Sequence, residues 1–205
     1  MRHNSQIGAG VAIAKRKPQV CTLALWCLTT DHEPMDGFQS LGGRLLVAMP
    51  GMGDPRFEQA VILLCAHRPD HAMGLRLDRP APGVDLKTVL DRLDLPADPA
   101  TAEQPVMMGG PVDRERGFVL HSDDWLIPET SVPLTQGLAM TGTRDALLAM
   151  ASEDGPRRSR LFLGYAGWEG GQLEDELAEN VWLIVDADED ILFDDDYGGK
   201  WNRAV

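Results

Sequence analysis

The chain has 205 residues, 43% of them apolar and 25% charged, the proportions of an ordinary globular protein long enough to bury a core. Its formal net charge of −13 and sequence pI near 4.7 exclude a duplex-binding surface built mainly on phosphate neutralisation. The charge is uneven: residues 1–34 hold four basic and two acidic side chains, which leaves 15 basic and 30 acidic in the remainder.

The N-terminal stretch "AKRKPQVCTLALWCLTT" sets a basic patch before a short apolar run, as an export signal does. Pro18 interrupts that junction, no A-x-A cleavage site follows, and "TTDHEPMDG" is polar. Residues 1–34 therefore read as an N-terminal extension, disordered or translated from a start assigned too early, with Met35 as the natural beginning. Residues 35–205 read as one domain. The three cysteines, Cys21, Cys27 and Cys65, are too few and too widely spaced for a disulfide framework and point to a reducing, cytoplasmic compartment. No apolar run reaches the roughly 20 residues a membrane-spanning helix needs.

From Gly43 the pattern becomes regular. "RLLVAM" (44–49) is a short apolar run, and "PGMGDP" (50–55) is a turn. "AVILLCA" (60–66) and "AMGLRLD" (72–78) predict strands. Asp85 then caps an amphipathic helix with Leu86, Val89, Leu90 and Leu93 on one face, and "ADPATAEQP" is a loop. Strands are expected around 104–108 and 117–121. "GLAMTGTRDALLAMASEDGP" is a short strand, then a helix capped by Thr143 and ended before Gly155-Pro156. A strand over 160–166, a helix over 171–180 and the strand "VWLIVD" (181–186) follow, and 192–204 is a weak helix candidate. Neighbouring strands occur as often as strand–helix alternation, which favours α+β over a doubly wound parallel sheet.

Several clusters suggest chemistry and are weighed against plainer readings. Cys65, His67 and His71, with Asp70 nearby, have zinc-compatible ligand types, but Pro69 breaks the local geometry. A buried Cys65 and a hydrogen-bonded His67 are expected instead. Asp186, Asp188 and Asp190 match the first positions of a calcium loop, yet Ile191 and Tyr197 stand where glycine and glutamate are required; a solvated acidic loop accounts for them better. Gly109-Gly110 before Pro111 is able to present backbone N–H groups to an oxyanion, with His121 as a base; a turn between strands is favoured. In "GYAGWEGGQLEDEL" (164–177) the glycines permit a reversal, Trp168 covers it, and Glu174, Asp175 and Glu176 suit a helix start. Glu169 and Glu174 keep a second reading as paired carboxylates. No nucleotide-binding glycine motif, nucleophile elbow or zinc-finger spacing occurs, so neither a metal nor another cofactor is expected.

The runs "AMPGMGDPRFEQAVILLCAH", "AMG", "MMGGPVDRERGFVLH" and "GYAGWEGGQLEDEL", in that order, resemble the YqgE/AlgH family of bacterial proteins across about Gly43 to Trp201. The resemblance implies an α+β single domain with a coiled mixed β-sheet and flanking helices, in a soluble cytosolic protein. The family has no established biochemical activity, and the AlgH name comes from a proposed role in regulating exopolysaccharide production. Members usually have glycine where His71 stands and asparagine where Asp78 stands, and their chains usually run on past the position of Val205. The motifs without a catalytic set favour a non-enzymatic binding or regulatory protein, with an unidentified protein or small-molecule partner and no direct contact with nucleic acid or membrane. Its candidate surface combines Gly109, Gly110 and Pro111 with His121, Trp168, Glu169 and Glu174. The alternative is a hydrolase that uses His121, or Glu169 with Glu174.

Overall fold

A computed structural model of the chain describes residues 38–205 apart from Ala97, Thr135 and Gln136. The expectations for residues 1–34 and Met35 lie outside the described residues. Ten strands, β1 (Arg44–Ala48), β2 (Val61–Arg68), β3 (His71–Arg76), β4 (Pro80–Asp85), β5 (Pro105–Met108), β6 (Val112–Ser122), β7 (Ser131–Pro133), β8 (Leu138–Thr141), β9 (Ser159–Glu169) and β10 (Trp182–Asp186), form one sheet. The helices among the described residues are α1 (Leu86–Arg92), α2 (Pro99–Ala102), α3 (Arg144–Met150), α4 (Gln172–Ala178), α5 (Glu189–Phe193) and α6 (Lys200–Ala204). The main path runs β10-β1-β2-β3-β9-β6-β8-β7, with β4 beside β5 and β5 beside β9. All pairings are antiparallel except β5 with β9, so the sheet is mixed and the α+β expectation holds.

The long strand β9 organises the sheet. Its first half pairs with β6, Ser159 opposite His121, and its second half pairs with β3, Glu169 opposite His71. One sheet thus turns a corner along a single strand. The predicted strand over 160–166 is too short: β9 continues through Gly164 and Gly167 to Glu169. Strands β4 and β7 were not expected from the pattern, and α2 lies inside the expected loop.

Alternation places the core. Leu45 and Val47 pack on one face of β1 with Leu63, Met73 and Leu75, beneath Ile191, Leu192 and Ala204 of α5 and α6. Leu46 and Ala48 face the other way, with Ile62, Leu64, Trp168 and Trp182 under Leu173 of α4. A third cluster seats Leu86 and Leu90 of α1 and Ala146 and Met150 of α3 on Val106, Val119 and Leu161. Asp85 caps α1 as predicted, accepting from Thr88 N at 2.8 Å. Thr143 occupies the cap position of α3 in extended backbone but makes no side-chain cap bond.

The turn between β1 and β2 is held by charge rather than by apolar contact alone. Asp54 Oδ1 accepts from Arg56 N at 2.9 Å, which sets Phe57 into the core. The buried Arg76 guanidinium reaches the carbonyl of Arg56 and pairs with Asp78, whose Oδ1 also accepts from Val61 N at 3.0 Å. Aspartate at position 78 therefore neutralises a buried arginine.

Candidate functional site

At the end of β9, Gly170 and the left-handed Gly171 (φ 78°) reverse the chain into α4. Trp168 is buried, but its indole N–H does not bond a loop carbonyl. It donates to Glu176 Oε2 at 2.9 Å, and Trp182 donates to the same oxygen at 2.7 Å. Gln172 Nε2 donates to Glu176 Oε1 at 2.9 Å, while Gln172 Oε1 accepts from Glu169 N at 3.1 Å. Glu176, expected in a solvated first turn, is only 4% exposed. The signal was present: Glu176 stands at i+3 from Leu173, on the inward face of the helix.

Glu174 takes a different partner from the one weighed in the sequence. Its Oε1 accepts from His67 Nε2 at 2.9 Å. Because His67 Nδ1 accepts from Leu41 N at 3.0 Å, the imidazole carries its proton on Nε2. Phe38 packs on the same ring, with centroids 4.8 Å apart. Glu169 is exposed at the strand end. The pairing therefore joins α4 to β2, and His67 is hydrogen-bonded as expected, with Glu174 as a partner that its local sequence does not indicate. Cys65 is buried and its thiol contacts Leu63 O at 3.6 Å; His71 Nδ1 lies 2.8 Å from Asp70 Oδ1. Among the described residues no three His, Cys, Asp or Glu side chains form a group able to hold a metal ion.

The Gly109-Gly110-Pro111 turn crosses over β9. Gly109 N donates to Leu163 O and Gly109 O accepts from Arg76 N, both at 2.9 Å. A Cβ on Gly109 would lie 2.2 Å from Gly164 O, and one on Gly110 2.0 Å from Tyr165 C. The turn thus touches the beginning of the Gly164–Glu174 corner through backbone atoms.

His121 is elsewhere. It pairs with Ser159, at the opposite end of the eleven-residue β9 from Trp168 and Glu169, a strand length of about 33 Å at the usual rise. It is 0% exposed. Its Nδ1 donates to Ser122 O at 2.9 Å, and its Nε2 accepts from the Thr141 hydroxyl at 2.9 Å. Ser131 Oγ accepts from Ile127 N and lies 2.7 Å from Thr141 Oγ1, closing the chain of hydroxyls. The seven candidate residues do not converge: Trp168, Glu169 and Glu174 sit together, the glycine turn meets them at Gly164–Ala166, and His121 stands apart.

Burial holds the His121 pKa below its ordinary value of 6.5. The unfolded chain then takes up a proton that the native state refuses, so stability is full above about pH 6.5 and is lost as pH falls toward the folded pKa. Urea midpoints measured across this range should fall with pH in the parent and fall less steeply in His121→Gln. Equal slopes would show that another group governs the acid limb.

The acidic tail is not simply solvated. Asp188 caps α5 by accepting from Asp190 N at 2.8 Å. Lys200, 0% exposed, donates to Asp194 Oδ1 at 2.7 Å and to the carbonyl of Ile191, and burial pulls its pKa down. Arg160 donates to Tyr197 Oη at 2.9 Å, Phe193 O at 2.8 Å and Asp195 Oδ1 at 3.0 Å. Burial, aided by Asp195, pushes the Tyr197 phenol up to about 12. Between this tail, the end of α3 and the start of β9 opens a cleft of about 450 Å³.

A sheet curled about one long strand, with helices on its faces, defines a single-domain α+β protein. Its motif side chains are largely engaged in internal hydrogen bonds. The chain belongs to the AlgH-like family, which matches residues 45–205. It is 54% identical over 171 residues to a UPF0301 protein of Caulobacter vibrioides, covering 83% of this chain and 88% of the relative. A UPF0301 protein of Ruegeria pomeroyi is 49% identical over 166 residues, with 80% and 90% covered. The solution structure of the AlgH protein from Pseudomonas aeruginosa is similar at a TM-score of 0.66 and 43% identity, over 77% of this chain and 85% of that one. A crystal structure of a Corynebacterium diphtheriae protein, 22% identical, shares the fold at a TM-score of 0.60 over 76% and 81%. No helix among the described residues is long and apolar enough to cross a membrane.

Proposed function

We propose that this chain is a non-enzymatic binding protein of the cytoplasm, acting through a small ligand or a protein partner. The observation that carries the reading is the engagement of its motif chemistry. Both nitrogens of His121 and of His67 are occupied, and the Glu176 carboxylate is sequestered under two indoles. A general base needs a reachable lone pair near a bound substrate, and these groups serve the fold instead. A regulatory influence on exopolysaccharide production, suggested by the likeness to AlgH, would on this reading be indirect, since the charge of −13 opposes DNA contact.

Thermal-shift screening of the full chain against metabolites and divalent ions tests it, because a ligand of the native state raises the apparent stability. A saturable rise with no turnover of that compound is expected. Hydrolysis of a screened compound that is lost in Glu174→Gln, while its unfolding midpoint stays near the parent's, would overturn the reading in favour of the hydrolase.

A further inference from the structure

The cleft at the start of β9 is charged in an unusual balance. Arg157, Arg158 and Arg160 line it together with Glu189, Asp190 and Asp194. Met150 and Phe193 supply apolar wall, and the volume of about 450 Å³ is in the range of small-molecule sites. Arg160 lies on β9 and Arg158 just ahead of its first residue, two positions apart in the chain, and they differ in commitment. Arg160 is buried and donates to Tyr197, Phe193 and Asp195. Arg158 is 48% exposed and pairs through Nη1, at 3.2 Å, with Glu189 Oε2, a carboxylate that is itself 58% exposed. Such a pair is weak and easily exchanged. The backbone beneath it is fixed, with Arg158 N donating to Ser122 Oγ at 3.1 Å and Arg158 O accepting from Ser122 N at 3.0 Å.

A second feature points to a ligand. Gln104 lines the same cleft, and its Oε1 is buried with no hydrogen-bond partner. Buried polar atoms are almost always satisfied, and an orphan acceptor asks for a donor. Three carboxylates in the lining disfavour a simple anion, and three guanidinium groups disfavour a simple cation. A molecule bearing both charges meets neither penalty.

Building on the binding-protein reading, we propose that this cleft binds a small zwitterion, an amino acid or dipeptide. Its carboxylate takes the Arg158 guanidinium in exchange for Glu189, and its N–H groups meet Gln104 Oε1 and the Glu189 carboxylate so released.

Titration of the ¹⁵N-labelled full chain tests this, with a panel of free amino acids and glycylglycine against acetate and methylammonium at matched ionic strength. At least one zwitterion should shift the amides of Gln104, Arg158, Ser159 and Glu189 saturably, while the two single-charge probes leave them in place. Arg158→Gln should weaken that binding by about tenfold or more, the loss of one charged hydrogen bond. Gln104→Leu should weaken it in the same direction, and Arg68→Gln, beside the far end of β9, should not. No response to any zwitterion, or acetate binding as tightly as the zwitterion, overturns the inference. If another metabolite raises the thermal midpoint in that event, the binding-protein reading stands while this ligand assignment falls.

Discussion

Glu176→Ala is expected to destabilise the fold by about 3–5 kcal/mol, because it strips the common acceptor from two buried indoles at once. Trp168 and Trp182 meet edge-on with centroids 6.0 Å apart, and both N–H groups converge on Glu176 Oε2. Each orphaned buried donor costs about 1–3 kcal/mol, and the space left by the carboxylate adds a cavity term. Glu176→Gln should cost less, about 1–2 kcal/mol. Its single amide oxygen is able to serve both indoles, but its NH2 then faces the NH2 of Gln172. Turning Gln172 over would relieve that clash and forfeit its acceptance from Glu169 N. Urea unfolding followed by tryptophan emission measures both variants, with a red shift expected for Glu176→Ala as the indoles hydrate. A Glu176→Ala midpoint close to that of Glu176→Gln would refute the shared-acceptor account.

This carboxylate shows where sequence reasoning stops. Alternation in Leu45–Ala48 and Val61–Leu64 and the Asp85 cap were legible because they are local rules of period and capping. Glu176 was misjudged because composition assigns acids to a solvated helix start, whereas its acceptors' partners, Trp168 and Trp182, lie in two other elements. The same holds for Asp194 and Lys200, whose burial depends on how α5 and α6 settle on β1 and β2. Strands β4 and β7 were hidden by Pro80, Pro82, Gly83 and Pro133, residues that signal breaks yet sit here on peripheral strands. For the candidate surface, contact between the glycine turn and the Gly164 corner was anticipated as a juxtaposition. The removal of His121 to the far end of β9 was not, since strand register has no signature in one sequence. The cleft draws on α2, α3, β9 and α5, and no motif spans those segments.

Gly110→Ala is expected to cost more than about 4 kcal/mol, placing it among the exceptional single substitutions and removing a large share of a typical domain's stability. The added Cβ would stand 2.0 Å from Tyr165 C and 2.3 Å from Ala166 N. These are backbone atoms of β9, which is held by β6 on one side and by β3 and β5 on the other, so neither partner is free to yield. Gly110 is not left-handed; what it supplies is the absence of a side chain where two chains cross. Gly171 makes the opposite case, with φ at 78° and open space around its missing Cβ. Gly171→Ala should therefore cost only about 1–2 kcal/mol, the price of a left-handed L-residue. Read from sequence, both glycines simply permit turns and both substitutions would be alike. Soluble yield and urea midpoints of the two variants separate the accounts: a Gly110→Ala protein as stable as Gly171→Ala would mean that the turn between β5 and β6 does not cross β9 on bare backbone.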